Sequence, residues 1–155
     1  ERGVTVVTQN GWLPLTPRNV IDEYSQAMFN QHPGPVPEFG GKGMFGRRVH
    51  TARLLFVRET KRDRWTEAIG QRVDSEYDQG AVVKSARVEI LSDDTVDDLQ
   101  QRVLPVEHRT QIELLKDVAK GNIKEVTGRG NLVLPGEEHI LFQAKKAAKL
   151  LYPHG

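Results

Sequence analysis

Ala27-Met28-Phe29-Asn30-Gln31-His32-Pro33-Gly34-Pro35-Val36-Pro37 is the stretch on which the reading of this chain turns. Its apolar start predicts a strand over Met28 to His32, and residues two apart in a strand share a face. Asn30 and His32 then stand side by side, and the prolines beyond them drive the chain out of the sheet. A neutral carboxamide donor beside a titratable ring suits acyl transfer, in which one group holds an oxyanion and the other moves a proton. The same two residues also serve a plainer purpose, closing a strand ahead of a turn. Taken alone, the stretch leaves both readings open.

A second segment, Asp74-Ser75-Glu76-Tyr77-Asp78-Gln79-Gly80-Ala81-Val82-Val83, lies between two strand-like runs, Trp65 to Val73 and Ala81 to Ile90. Asp78-Gln79-Gly80 reads as a turn, and the short connection predicts an antiparallel pair of half-exposed strands. Upstream, Val4 to Thr8 reads as a short buried strand, and Thr16 as the N-cap of a helix with Pro17 in its first position. Val20, Ile21 and Tyr24 form the apolar face of that helix. Residues 33–43 hold three prolines and four glycines and read as a rigid, irregular loop. Met44 to Phe56 predicts a helix with Val49, Ala52 and Phe56 on one side.

Asp94 or Thr95 opens a long helix, in which Val96, Leu99, Val103, Val106 and Thr110 follow steps of three and four. Pro105 falls inside that pattern and is expected to kink or divide it; Gly121-Asn122 ends it. A polar stretch around Lys124 to Asn131 leads to a last helix from Glu137 to Leu151, with Ile140, Ala144, Ala147 and Leu151 on one face.

At 155 residues the chain is one domain's worth, and its net charge of +1 carries no broad nucleic-acid footprint. It has no cysteine, which excludes thiolate chemistry and a disulfide framework and fits a cytoplasmic setting. No apolar run approaches the ~20 residues that span a bilayer, so no membrane partner is expected. His32, His50 and His108 lack the close-spaced donors that metal ligation needs, and no metal site is expected. Lys42, Arg47 and Arg48 form a basic cluster that faces either an anionic ligand or solvent at a helix start. Asp78 by itself reads as a turn residue.

Together the two segments resemble the folate-dependent formyltransferases, in particular those acting on glycinamide ribonucleotide. That family carries an Asn-x-His-Pro strand end followed by a loop with Asp-x-Gly, here Asn30-Gln31-His32-Pro33 and Asp78-Gln79-Gly80. Gly11-Trp12-Leu13-Pro14-Leu15-Thr16-Pro17 is similar to the family's turn beside the folate pterin. Gly40-Gly41-Lys42-Gly43-Met44-Phe45-Gly46-Arg47-Arg48-Val49-His50 is similar to its Gly-Lys-Gly-Met-aromatic-Gly loop, and Leu104-Pro105-Val106-Glu107-His108 to its helical Glu-His. The resemblance covers roughly residues 4 to 123, with all five motifs in order. Two positions depart from it: Gln71 stands where His is frequent, and Leu104 where the family has Gln.

The resemblance implies an α/β fold, the C-terminal part of a Rossmann-like formyltransferase with a mixed sheet of about four strands flanked by helices. It implies a catalytic part over residues 1–123 and an extension with a final helix over residues 124–155. The implied reaction moves a formyl group from 10-formyltetrahydrofolate to the amine of glycinamide ribonucleotide in purine synthesis. Asn30, His32 and Asp78 are the implied catalytic residues, and Glu107 is the implied substrate contact, at the ribose. Leu13, Leu15, Asp74, Glu76 and Tyr77 are the implied folate contacts, with Trp12 and Leu15 read as core and turn residues that also wall the pterin. The family's Gly-Ser-rich phosphate-binding half has no counterpart here, since Gly3 runs straight into Val4-Thr5-Val6-Val7 and Glu1 is not a methionine. A longer polypeptide is therefore expected, with activity needing that half, or with pairing to it or to a second copy along the Val4–Thr8 edge. Other formyl acceptors, formyltetrahydrofolate hydrolysis, and a non-catalytic folate- or partner-binding fragment are the alternatives.

Overall fold

A computed structural model describes residues 3–155. The chain is α/β, a mixed four-stranded sheet in the order β1-β2-β3-β4 with helices packed around it. β1 (Val7–Gln9) runs parallel to β2 (Met28–His32) and is joined to it through the short α1 (Arg18–Glu23). β3 (Trp65–Arg72) is antiparallel to both β2 and β4 (Val82–Glu89). α2 (Arg47–Thr60) joins β2 to β3, while α3 (Val96–Ala119) and α4 (Glu138–Leu151) follow β4.

β2 falls where its apolar run predicts. β1 is shorter than expected: Val4 lies outside it and exposed, and all three of its residues are half-buried. As an edge strand it has a single neighbour, so the buried strand read from Val4 to Thr8 is corrected. Thr16 is not the cap of α1; Pro17 occupies that position, and the Thr16 hydroxyl accepts a 2.6 Å hydrogen bond from Gln9 Nε2. β3 is likewise not half-exposed. Its interior from Thr66 to Gln71 is buried, because α3 packs on β2, β3 and β4 while the loops after β2 and α3 cross near the same strand.

α3 begins with a capping box, in which the Thr95 hydroxyl accepts from the Asp98 amide and the Asp98 carboxylate accepts from the Thr95 amide. It then continues unbroken across Pro105. Pro105 lies on the exposed side, where a missing N–H is satisfied at little cost, and Leu99, Val103 and Leu114 hold the helix on the sheet. Leu99 and Val103 join Leu54, Val57, Val88 and Ile90 in one apolar cluster, and Leu114 meets Phe29 and Val83 in another.

α2 starts at Arg47 rather than Met44 and packs on both α3 and α4. Val49, Ala52 and Phe56 form its buried stripe, with Phe39, Met44, Leu132, Ala144 and Ala148 around it. The Phe39 and Phe56 rings meet edge to face at 5.5 Å, an arrangement worth about 0.5–1.5 kcal/mol beyond burial. Arg53 is also fully buried there, its guanidinium close to the rings of Phe39, Phe56 and Trp65. It donates to the carbonyls of Trp65 at 2.9 Å and Asp63 at 2.5 Å. Burial pulls its pKa down to about 10, which leaves it charged at neutral pH.

Candidate active site

Three register partners bring a row of carboxamides across the sheet: Gln9 faces Asn30 on β2, and Asn30 faces Gln71 on β3. The outer two are engaged, Gln9 with Thr16 and Gln71 with Asp78. Asn30, between them, makes no side-chain hydrogen bond among the described residues and lines the cavity above the strand end. His32, two residues on, lines the same cavity, as strand alternation predicts.

The turn after β2 orients the histidine. Its Nδ1–H donates to the Gly34 carbonyl at 3.0 Å, which leaves Nε2 as the free ring nitrogen. Nε2 is buried and has no hydrogen-bond partner among the described residues; the Asp78 carboxylate lies 3.7 Å away. That gap is too long for a direct hydrogen bond and suits a single bridging donor.

Asp78 is held from three sides. Gln71 Nε2 donates to Oδ1 at 2.8 Å, and the Gly41 amide donates to Oδ2 at 2.9 Å. Gly40 packs against its Cβ so closely that a side chain there would sit 2.5 Å from it. The Asp78 backbone is left-handed, with φ 57°, a conformation that Asp tolerates better than most residues. Two residues later Gly80 lies on the Arg72 carbonyl, where a Cβ would collide. The β3–β4 loop thereby folds back over the end of β3 and delivers Asp78 to His32.

The cavity has a volume of about 260 Å³ and adjoins a smaller one of about 50 Å³, with Trp12, Asn30, Tyr77 and Asp78 lining both. Leu13 and Glu107 line the larger, and Leu15, Asp74 and Glu76 the smaller. All nine residues singled out from the sequence therefore converge on one pair of connected cavities. Trp12 and Leu15 are not core residues: they are 54% and 45% exposed and form an open apolar wall beside Asn30. Burial pushes the Glu107 carboxyl up to about 7, so it titrates near neutral pH inside the larger cavity.

Sequence reasoning passed over several lining groups. His50 is 1% exposed, its Nδ1 has no partner, and burial and then His32 pull its pKa down to about 4. Its place in α2, next to Val49 on the buried side, was the available signal. Leu104 and Gln100 line the cavity one and two turns before Glu107, on the same side of α3. The basic cluster does not act as a unit: Lys42 and Arg47 are exposed, while Arg48 is half-buried. Arg48 donates to the carbonyls of Gly43, Tyr152 and Pro153, and Arg47 pairs with Asp97 and Gln100. Among the described residues no group of three or more His, Asp or Glu side chains is placed to hold a metal, and no helix is long and apolar enough to cross a membrane.

Residues 1–115 match the formyl transferase family. A chloroplastic phosphoribosylglycinamide formyltransferase of Arabidopsis thaliana is 32% identical over 122 residues, covering 79% of this chain and 40% of its own. Glycinamide ribonucleotide transformylase 1 from Symbiobacterium toebii superposes with a TM-score of 0.66 at 26% identity, covering 82% of this chain and 55% of its own. Phosphoribosylglycinamide formyltransferase from Anaplasma phagocytophilum shares the fold, with a TM-score of 0.65 at 23% identity over 84% of this chain and 63% of its own. The chain spans less than half the length of the curated relative. It belongs to the formyl transferase family.

Proposed function

We propose that this member of the formyl transferase family takes part in transferring a formyl group from 10-formyltetrahydrofolate to the amine of glycinamide ribonucleotide, in purine synthesis. The observation that carries the reading is the unpartnered, buried Nε2 of His32 between Asn30 and Asp78. A fixed neutral donor and a proton-moving pair on one cavity wall are what attack of an amine on a formyl carbonyl requires.

In that reaction the amine nitrogen bonds to the formyl carbon, and the carbonyl electrons move to oxygen. The Asn30 carboxamide donates to that oxyanion. His32 and Asp78 take up the proton lost by the amine, directly or through one bridging water, and return it to the folate nitrogen as its bond to carbon breaks. Trp12, Leu13 and Leu15 offer the flat pterin an apolar wall, and the Asp74–Asp78 loop offers its ring nitrogens polar partners. In this reading Glu107, which lines the larger cavity, accepts from the ribose hydroxyls. The relatives named for this reaction support the choice of acceptor.

The same reading assigns residues 1–123 to the catalytic part and residues 124–155 to an extension. It places the protein in the cytoplasm and pairs the open edge of β1 with a second copy or with the family's nucleotide-binding half. The chain is to be assayed alone and with that half added as a separate polypeptide. Formylation of glycinamide ribonucleotide is expected when that half is added, with Asn30→Ala then reducing kcat by about 10²–10³. No formyl transfer in either form would overturn the proposal.

A further inference from the structure

α4 lies wholly outside the residues that match the family, yet it grips the loop on which Asp78 depends. Lys145 Nζ donates to the Glu38 carbonyl at 2.7 Å, and Lys149 Nζ donates to the Lys42 carbonyl at 2.9 Å. The two lysines are one helical turn apart, so both reach the same side. The two carbonyls are also four residues apart, and between them lies Gly41, whose amide donates to Asp78, and Gly40, which packs on its Cβ. Arg48 fastens the next turn of this loop to the end of α4, donating to Gly43 and to Tyr152.

We infer that Lys145 and Lys149 are positioning residues for the reaction, a two-point clamp by which α4 keeps the Glu38–Lys42 stretch, and through Gly41 the Asp78 carboxylate, in register with His32. The stretch contains Gly40 and Gly41, is followed at once by Gly43, and lies in neither helix nor strand. Without outside anchors it would sample many conformations. A charged donor on a neutral carbonyl is a strong anchor, and Lys145 is half-buried. Burial chiefly pulls its pKa down and the neighbouring Lys149 adds to that, while the Asp78 and Glu38 carboxylates oppose it.

The inference rests on the formyl-transfer reading for its effect on turnover, but its geometry is tested without any activity. Lys145→Met, Lys149→Met and the double variant keep the apolar stems, while Lys146→Met, on the exposed side of the same helix, is the control. Amide hydrogen exchange of the full chain is followed at Gly41, with Ile69 and Leu99 as reporters of the core. In the double variant Gly41 is expected to exchange about tenfold faster while the core amides are unchanged. Formyl transfer is expected to lose about tenfold or more in kcat with KM within about twofold, and Lys146→Met to match wild type in both. Unchanged exchange at Gly41 would overturn the clamp, and faster exchange with unchanged kcat would overturn its role in positioning. Absence of transfer by the unmutated protein, both alone and with the added half, would instead refute the function proposed above, leaving exchange at Gly41 to decide whether the clamp exists.

Discussion

His32 Nε2 and the Asp78 carboxylate face each other across 3.7 Å in a buried setting, and the ring's other nitrogen is committed to Gly34. A lone pair aimed at a carboxylate is repulsive unless a proton or a donor lies between them. In the proposed reaction this pair is the one that takes up and returns the proton. His32→Ala is expected to lower kcat for formyl transfer by about 10²–10⁴ while leaving folate affinity nearly unchanged, since proton transfer belongs to the transition state. Steady-state kinetics beside a fluorescence titration with tetrahydrofolate would separate the two. Turnover near that of wild type would remove His32 from the mechanism.

Asp78→Asn tests charge apart from shape. Asn tolerates the left-handed backbone at φ 57°, offers its oxygen to the Gly41 amide, and can donate its NH2 to the otherwise unpartnered Gln71 Oε1 once that carboxamide flips. The loop is therefore expected to keep its fold, with a melting temperature within about 2 °C of wild type. kcat is expected to fall by about 10²-fold or more, because a carboxamide cannot carry the proton. A variant that melts early would show that the carboxylate serves the loop first.

Much of the site was legible because its chemistry sits at punctuation marks. A strand that ends on Asn-x-His before Pro, and a turn that needs Asp then Gly, are local patterns whose faces follow from a period of two. Less legible were features set by what covers each element. Nothing in Trp65 to Val73 tells that helix and loops bury β3, and nothing local keeps Trp12 at the surface. Arg53 breaks the polar-outside pattern of α2, since its partners are two carbonyls at the start of β3 and just before it, and the rings of Phe39, Phe56 and Trp65. Two of the three partners of Arg48 are more than a hundred residues away, at Tyr152 and Pro153, so the cluster containing it could not be sorted by neighbours in sequence.

Glu107 provides a pH signature. Burial raises its carboxyl from 4.5 to about 7, so its neutral form favours the folded state. The stabilising effect is complete below pH 4.5 and is lost as pH rises through about 7. In binding the sign is reversed: ribose hydroxyls donate best to the ionised carboxylate, so KM for the nucleotide is expected to improve as pH rises through 7. Glu107→Gln should abolish that trend and leave the pH dependence of kcat in place. A profile of kcat/KM between pH 5.5 and 8.5 for both proteins is the measurement, at roughly constant ionic strength so that screening does not vary. An unchanged trend in the variant would assign it to another group.

His50 makes the opposite demand on the fold. It is 1% exposed beside the cavity, and burial, followed by the nearby His32, depresses its pKa from 6.5 to about 4. Between those values the unfolded chain binds a proton that the folded chain refuses, so folding stability rises with pH across that window. Its contribution is fully present above pH 6.5 and is lost as pH falls toward 4, by about 3 kcal/mol in total at 1.36 kcal/mol per pH unit. His50→Gln retains a polar side chain of similar reach but cannot charge. It is expected to remove most of that slope from urea-unfolding free energies measured at intervals from pH 7 to pH 4.5, even if it lowers stability at pH 7. The Glu107 effect runs the other way over part of the same range, so the comparison is made in a Glu107→Gln background as well. An identical slope with and without His50 in both backgrounds would show that the buried ring is not what destabilises the protein in acid.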